Sequence, residues 1–187
     1  MSAEARLKLL GIELPAPPQA AGLYAPCVQV GDLLVISGQI PTVEGKPAAR
    51  GRLGAGIGVE QGAELARICT LNALAIVRAH LGSLDRVRRV VRVGAFVASA
   101  PGFSDQPEVA NGASQLLIDL FGDAGRHARA AVGVAELPRG VPVEVEYLFE
   151  VEPVGNAPAG LQARASGRKR KPAGKGGGKK SKKQKRT

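Results

Sequence analysis

Arg129 and Glu144 are the two residues of this chain whose types and spacing suggest chemistry. They lie in the stretch Ala128–Glu146, ARAAVGVAELPRGVPVEVE, which reads as a strand, a tight Leu137-Pro138-Arg139-Gly140 connection and a second strand. With side chains alternating, His127, Arg129, Ala131, Gly133 and Ala135 share one face of the first strand. An arginine among such small neighbours has room around its guanidinium, like the floor of a pocket. The second strand sets Val141, Val143, Val145, Tyr147 and Phe149 against Glu144, Glu146 and Glu150, one core face and one polar face. An arginine and a glutamate on adjacent strands could hold a small carboxylate and a water. The same two residues could equally form a surface ion pair.

Other groupings carry less. The run Arg52–Gly58, RLGAGIG, has GxGxG spacing and no preceding strand of a βαβ unit, so it is not a dinucleotide loop. GKGGGKKS (174–181) resembles a phosphate loop by composition only. Ser37 sits in no nucleophile elbow, and neither His80 nor His127 completes a recognisable triad with it. His80 reads as a partner for the C-terminal end of a helix. Two histidines and two cysteines, Cys27 and Cys69, without CxxC spacing, make a metal site unexpected, and the cysteines read as buried thiols of a reducing compartment.

The elements that must position these residues follow from periodicity. A short amphipathic helix is expected over residues 3–11, ended by Pro15, and PAPPQ (15–19) reads as an extended linker. Cys27–Val30 and Leu33–Ser37 read as strands joined at Gly31-Asp32. Residues 42–58 read as a loop with one weak strand. Val59–Leu81 is the clearest helix, with Ala63, Ala66, Leu71, Leu74, Val77 and Leu81 as an apolar stripe that Ile68 and Ala73 fill in; Gly82 stops it. Val87–Ala98 is strand-like and nearly apolar on both faces. Pro107 starts a second helix, behind Ser104 or Asp105 as cap, that ends before Gly122. The order ββ-α-β-α-ββ predicts an α+β fold: a mainly antiparallel or mixed sheet covered on one face by two helices.

At 187 residues, with 44% hydrophobic content, the chain is long enough for one domain with a real core. The net charge of +10 is misleading until divided. Residues 164–187 hold 12 of the 26 Lys and Arg, and no acid lies beyond Glu152. The domain, residues 1–153, is thus close to neutral. Residues 154–187 are expected to be a disordered Pro/Gly linker and polybasic tail, whose segment 164–187 reads either as a solvated run that aids solubility or as a non-specific binder of nucleic acid. No apolar run approaches about 18 residues and no leader is legible, so a cytoplasmic protein without a membrane span is expected.

Three blocks of the sequence resemble the reactive-intermediate deaminase (Rid, or YjgF-like) family. Ser37-Gly38-Gln39-Ile40-Pro41 reproduces the family's SGQIP signature, thirteen positions after Tyr24. Arg92–Val97 is similar to its VFV strand. Arg129 stands eight residues before Leu137-Pro138 and fifteen before Glu144, as in the family. Together they cover roughly residues 14–153. The chain departs from the pattern at Ala131, where the deaminase branch often has cysteine, and around Arg126-His127-Ala128, as a divergent subgroup would.

The resemblance implies a homotrimer whose sheets line a central barrel, with a cleft between each two neighbours. It implies hydrolysis of enamine and imine intermediates of amino-acid metabolism to 2-keto acids and ammonium, without metal or cofactor. Arg129 would clamp the substrate carboxylate, Glu144 would orient and deprotonate the water, and Tyr24 would close the pocket. Ser37, Gly38, Asn111 and Ala131 would line the substrate site. Two other functions stay open at this stage: a nucleic-acid-associated, endoribonuclease-like protein that uses the basic tail, and a non-catalytic binder of small metabolites.

Overall fold

A computed structural model describes residues 1–153; the linker and the polybasic segment 164–187 lie outside the described residues. The elements run α1 (Ala3–Leu9), β1 (Cys27–Val30), β2 (Leu33–Gln39), β3 (Thr42–Val43), β4 (Lys46–Pro47), β5 (Arg52–Leu53), β6 (Gly56–Ile57), α2 (Val59–Leu81), β7 (Val87–Ala98), α3 (Gln106–Phe121), β8 (Ala128–Val134) and β9 (Val143–Val151). The expected loop over 42–58 therefore carries four two-residue strands, arranged as a small antiparallel pair and a small parallel pair.

The main sheet has the order β1-β2-β9-β7-β8. Only β7 and β8 run parallel; the other pairings are antiparallel, so the expected mainly antiparallel or mixed sheet is what forms. The expected adjacency of the last two strands does not hold. β8 and β9 are not a hairpin, because the long strand β7 lies between them and pairs with both. The Leu137–Gly140 connection carries the chain across the end of β7. Twelve residues of β7 offer the longest run of backbone partners in the sheet, and two separate strands use them.

Helices α2 and α3 cover one face. Valines and aromatics that alternate along β9 supply its core side: Val143, Val145, Phe149 and Val151 are fully buried and Tyr147 nearly so. Tyr147 keeps its hydroxyl satisfied 2.9 Å from Thr70 on α2. Gly82 ends α2 at φ +84, as its sequence position requires. Asp105 precedes α3 but makes no side-chain cap bond. Expected as a core position of α2, Leu71 is only half-buried, as is Ile68 beside it; Leu65, Cys69 and Ile76 take the core instead.

The opposite face of the sheet is uncovered in the single chain. Val28, Val30, Leu33, Val35 and Val132 stand exposed on it. Along β7 this side is not apolar throughout: it carries Arg89 and Arg92 as well as Phe96, and Arg92 pairs with Glu146 at 2.8 Å.

The two helices touch closely at Gly112, where an added Cβ would sit 1.9 Å from the Ala63 carbonyl oxygen on α2. Alanine favours a free helix over glycine by about 1 kcal/mol, so the sign of Gly112→Ala tests this contact. We expect a loss of about 2–3 kcal/mol in urea unfolding, because the clash is with backbone and the helices must part. A stabilised variant would show that α2 and α3 are not pressed together here.

Candidate functional site

The residues singled out by the sequence fall into two groups on opposite faces of the sheet. Register decides this. Arg129 on β8 is opposite Val93, which is opposite Tyr147, and both Val93 and Tyr147 face the helices. Glu144 is opposite Phe96, three positions further along β7, and three is an odd step in a two-residue repeat. In one chain Arg129 and Glu144 are therefore separated by β7 and by the thickness of the sheet, so they cannot grip one small molecule together.

The first group sits between β8 and α3. Arg129 donates from one terminal nitrogen to Asn111 Oδ1 (2.8 Å) and to Ser114 Oγ (3.0 Å). These acceptors stand three residues apart on α3, one turn, and so face the strand together. Asn111 in turn donates to Glu108 (2.8 Å). His127, two residues before Arg129 and thus on the same face, bonds Gly125 O through Nδ1 (2.6 Å) and Ser114 Oγ through Nε2 (3.0 Å). A carbonyl only accepts, so Nδ1 carries the proton and Nε2 is left to accept from the serine. Burial holds this imidazole below its ordinary pKa; the Gly125 bond opposes the shift and the Arg129 charge adds to it.

The network fixes the guanidinium through one terminal nitrogen, and its other N–H donors have no hydrogen-bond partner among the described residues. Ala131 is opposite Ala95 and keeps the neighbouring space small-walled. The room expected beside Gly133 is taken by Gln106, whose amide nitrogen would lie 2.9 Å from a Cβ there. Sequence alone places His127 on the face of Arg129 but does not show Ser114, which joins the two. The available signal was the 111/114 spacing on α3 against the 127/129 alternation on β8.

The second group lies where β2 runs out and β9 begins. The SGQ signature forms a bulge, with a register shift between Ile36 and Gln39. Gly38 at that bulge has the Glu144 carboxylate lying directly on it: a Cβ would be 2.0 Å from Glu144 Oε1. Glycine at 38 leaves the room in which this carboxylate lies, and a side chain there would displace it. Burial raises the Glu144 carboxyl above its ordinary pKa, and the nearby Glu146 raises it further. Glu144 borders a cleft of about 980 Å³ that Tyr24, Gly38, Ile68, Leu71 and Arg139 share with residues 13–21. Ser37 does not line it. Its hydroxyl donates to Ala25 O (2.7 Å) and its N–H to Pro26 O (3.1 Å), which pins the loop that carries Tyr24. Tyr24 Oη accepts from Ala21 N at 3.4 Å.

Arg139 is a cleft residue that the sequence reading used only as part of a turn. Its backbone is left-handed (φ +60), and both terminal nitrogens donate to Gly45 O at 3.2 Å. Arg50 donates to the Arg139 carbonyl and holds the loop from the other side. Cys27 is half-buried and Cys69 fully buried, both as free thiols, and burial raises both above the ordinary thiol pKa. Among the described residues no group of three or more His, Cys, Asp or Glu is placed to hold a metal ion, and no helix is long and apolar enough to cross a membrane.

The family described as "YjgF/chorismate mutase-like, putative endoribonuclease" matches residues 4–150. Protein TCP17 of Trypanosoma cruzi is 47% identical over 148 residues, 79% of this chain and 92% of its own length. A 2-iminobutanoate/2-iminopropanoate deaminase of Dermatophagoides farinae is 31% identical over 142 residues, 75% of this chain and 95% of its own. Among solved structures, a protein of unknown function from Agrobacterium tumefaciens superposes with a TM-score of 0.74 at 43% identity, covering 80% of this chain and 92% of that one. With a family match across nearly the whole described domain and relatives aligned along almost their full length, the chain belongs to the YjgF/chorismate mutase-like family.

Proposed function

We propose that the protein hydrolyses reactive enamine and imine intermediates of amino-acid metabolism to 2-keto acids and ammonium, in clefts formed between copies of the chain. The observation that carries this reading is Glu144: a carboxylate of raised pKa laid over Gly38 at the edge of a cleft. A base whose pKa is drawn upward, towards the operating pH, is suited to taking a proton from water and returning it. Arg129, held by Asn111 and Ser114 with donors to spare, is the matching carboxylate clamp. Since one chain keeps the two on opposite faces, the working site joins Glu144 of one copy to Arg129 of a neighbour. The homotrimer expected from the family resemblance supplies that neighbour, and the exposed valines of the open sheet face are apolar surface for such contacts.

The chemistry needs little more than orientation. The water oxygen attacks the imine carbon, the C=N electron pair moves to nitrogen, and Glu144 accepts the water's proton. Glu144 then gives that proton to the amine nitrogen of the carbinolamine. With the imine protonated at the start, this makes the nitrogen an ammonium leaving group. The C–N bond breaks with its electron pair going to nitrogen, the hydroxyl oxygen gives its proton to Glu144 as the C=O bond forms, and the departing ammonia takes up that proton as ammonium. Tyr24 closes the cleft beside Glu144.

Two outcomes test this. Arg129→Ala removes acceleration of ammonia release from imines generated in situ by an amino-acid oxidase, and Arg129→Lys restores little, because an ammonium cannot bind both carboxylate oxygens in a fork. Full activity in the alanine variant would reject the clamp. Glu144→Gln abolishes turnover and shows a particular stability profile. The folded pKa of Glu144 lies above its unfolded value, so the wild type loses stability as pH rises from the unfolded pKa through the folded one. Thermal unfolding should find the glutamine variant gaining on the wild type at neutral pH, with the gain vanishing below the carboxylate range. A variant less stable at neutral pH than at acid pH, relative to wild type, would contradict the burial argument.

A further inference from the structure

We infer that the cleft beside Glu144 is a subsite for a bulky apolar side chain, so that the favoured substrates are 2-imino acids with branched or aromatic side chains; this rests on the deaminase reading and narrows it. Size comes first. The cleft holds about 980 Å³, at the upper end of the roughly 300–1,000 Å³ that takes drug-sized ligands. A methyl or ethyl side chain on the imine carbon would leave most of it to water.

The walls then select by polarity. On the helix side, Ile68 and Leu71 of α2 are half-buried and turn alkyl surface into the cleft. Polar neighbours on that side are already engaged within the protein. Asn72 donates its amide to Ile40 O, Thr42 O and Thr42 Oγ1 (3.2, 3.2 and 3.1 Å). Gln39 donates to Ser37 O and Gly38 O (2.9 and 3.3 Å). A polar substrate side chain would lose its water and find few replacements. An anionic one would meet Glu13, Glu44 and Glu144 against a single cation, Arg139, whose terminal nitrogens are turned onto Gly45 O.

The opposite wall is the proline-rich strap, residues 13–21, which the sequence presented as a mere linker. It is held down by α1. Leu84 N donates to Glu4 Oε1 (3.0 Å), Glu4 N to Asp85 Oδ1 (2.9 Å) and Arg6 to Asp119 O (3.1 Å), while Ala3 and Leu7 are buried in the core. Three long-range bonds for a seven-residue helix anchor the strap where it must enclose the cleft. Prolines there add apolar surface with little conformational freedom to lose on binding a ligand.

The test separates the subsite from the chemistry by using stable 2-oxo acids, which share the carboxylate and the reacting carbon. The full chain is titrated calorimetrically with pyruvate, 4-methyl-2-oxopentanoate and phenylpyruvate. Wild type should bind the two larger acids at least about tenfold more tightly than pyruvate, the scale of a few methylenes in an apolar pocket. Leu71→Trp, which fills the cleft, should bring that ratio close to one. Ile68→Ala, which only trims the wall and is the milder change for folding, should lower it about threefold. Ammonia release from imines made from alanine, leucine and phenylalanine is followed in parallel. Equal binding of all three acids by wild type, or a ratio unmoved in both variants, overturns the subsite even where imines are hydrolysed. A ratio that holds and falls as described, without accelerated imine hydrolysis, sustains the subsite and overturns the deaminase reading. Failure to bind any of the acids overturns the subsite, and if imine hydrolysis is also not accelerated the deaminase reading falls with it.

Discussion

Pleat parity along β7 governs what this domain can do. Side chains alternate strictly between the two faces of a sheet, and residues opposite one another on neighbouring strands share a face. Because β8 and β9 both pair with β7, the faces of Arg129 and Glu144 are set by counting along that one strand: Val93 for the first, Phe96 for the second. A shift of one position in the β7–β9 pairing would move the whole valine face of β9 out of the core, and one in the β7–β8 pairing would turn Arg129 away from α3. The packing of Val143, Val145, Tyr147 and Phe149 under α2 thus holds Glu144 on the open side as firmly as it holds the core together. The placement of Glu144 and the stability of the core are tied to a single register.

Two carboxylates on that open side depend on the same device. Glu144 lies over Gly38 and Glu146 over Gly94, where an added Cβ would come within 2.0 and 2.7 Å of a carboxylate oxygen. Glycine lets a charged side chain lie flat on the sheet instead of standing into solvent. The environments then diverge. Glu146 is held by Arg92 at 2.8 Å, whereas Glu144 has no ion-pair partner among the described residues and is raised in pKa by burial and by Glu146 itself. Of two neighbouring glutamates on one strand, one is engaged as a counter-ion and the other has no ion-pair partner among the described residues.

Much of this was legible in the sequence, for local reasons. Helix α2, the Gly82 stop, the Gly31-Asp32 turn and the alternation in β9 each depend on neighbours within one or two turns of chain. The signature at Ser37–Pro41 and the fifteen-residue spacing from Arg129 to Glu144 identified the family. What was not legible was non-local. A tight Leu-Pro-Arg-Gly connection between two strands looks like a hairpin, and nothing within those residues announces that β7, laid down some thirty residues earlier, separates them. Leu71 and Ile68 follow the helical stripe as well as any core residue, and only the position of the strap shows that they wall a cleft instead. Ser114 carries no motif; it becomes the shared partner of Arg129 and His127 because α3 crosses β8 at that point. Residues 154–187, read as linker and basic tail, lie outside the described residues.

Subunit mixing tests directly whether a working site takes Glu144 and Arg129 from different copies of the chain. The Arg129→Ala and Glu144→Gln proteins, each inactive alone, are unfolded together, refolded as a mixture and assayed for imine hydrolysis. Random assortment leaves about a quarter of the clefts with a native glutamate from one copy facing a native arginine from another, so roughly a quarter of wild-type activity should return. A mixture as inactive as its two components, with co-assembly verified by mass, would mean that the two residues do not meet across copies, and the proposed site would be wrong.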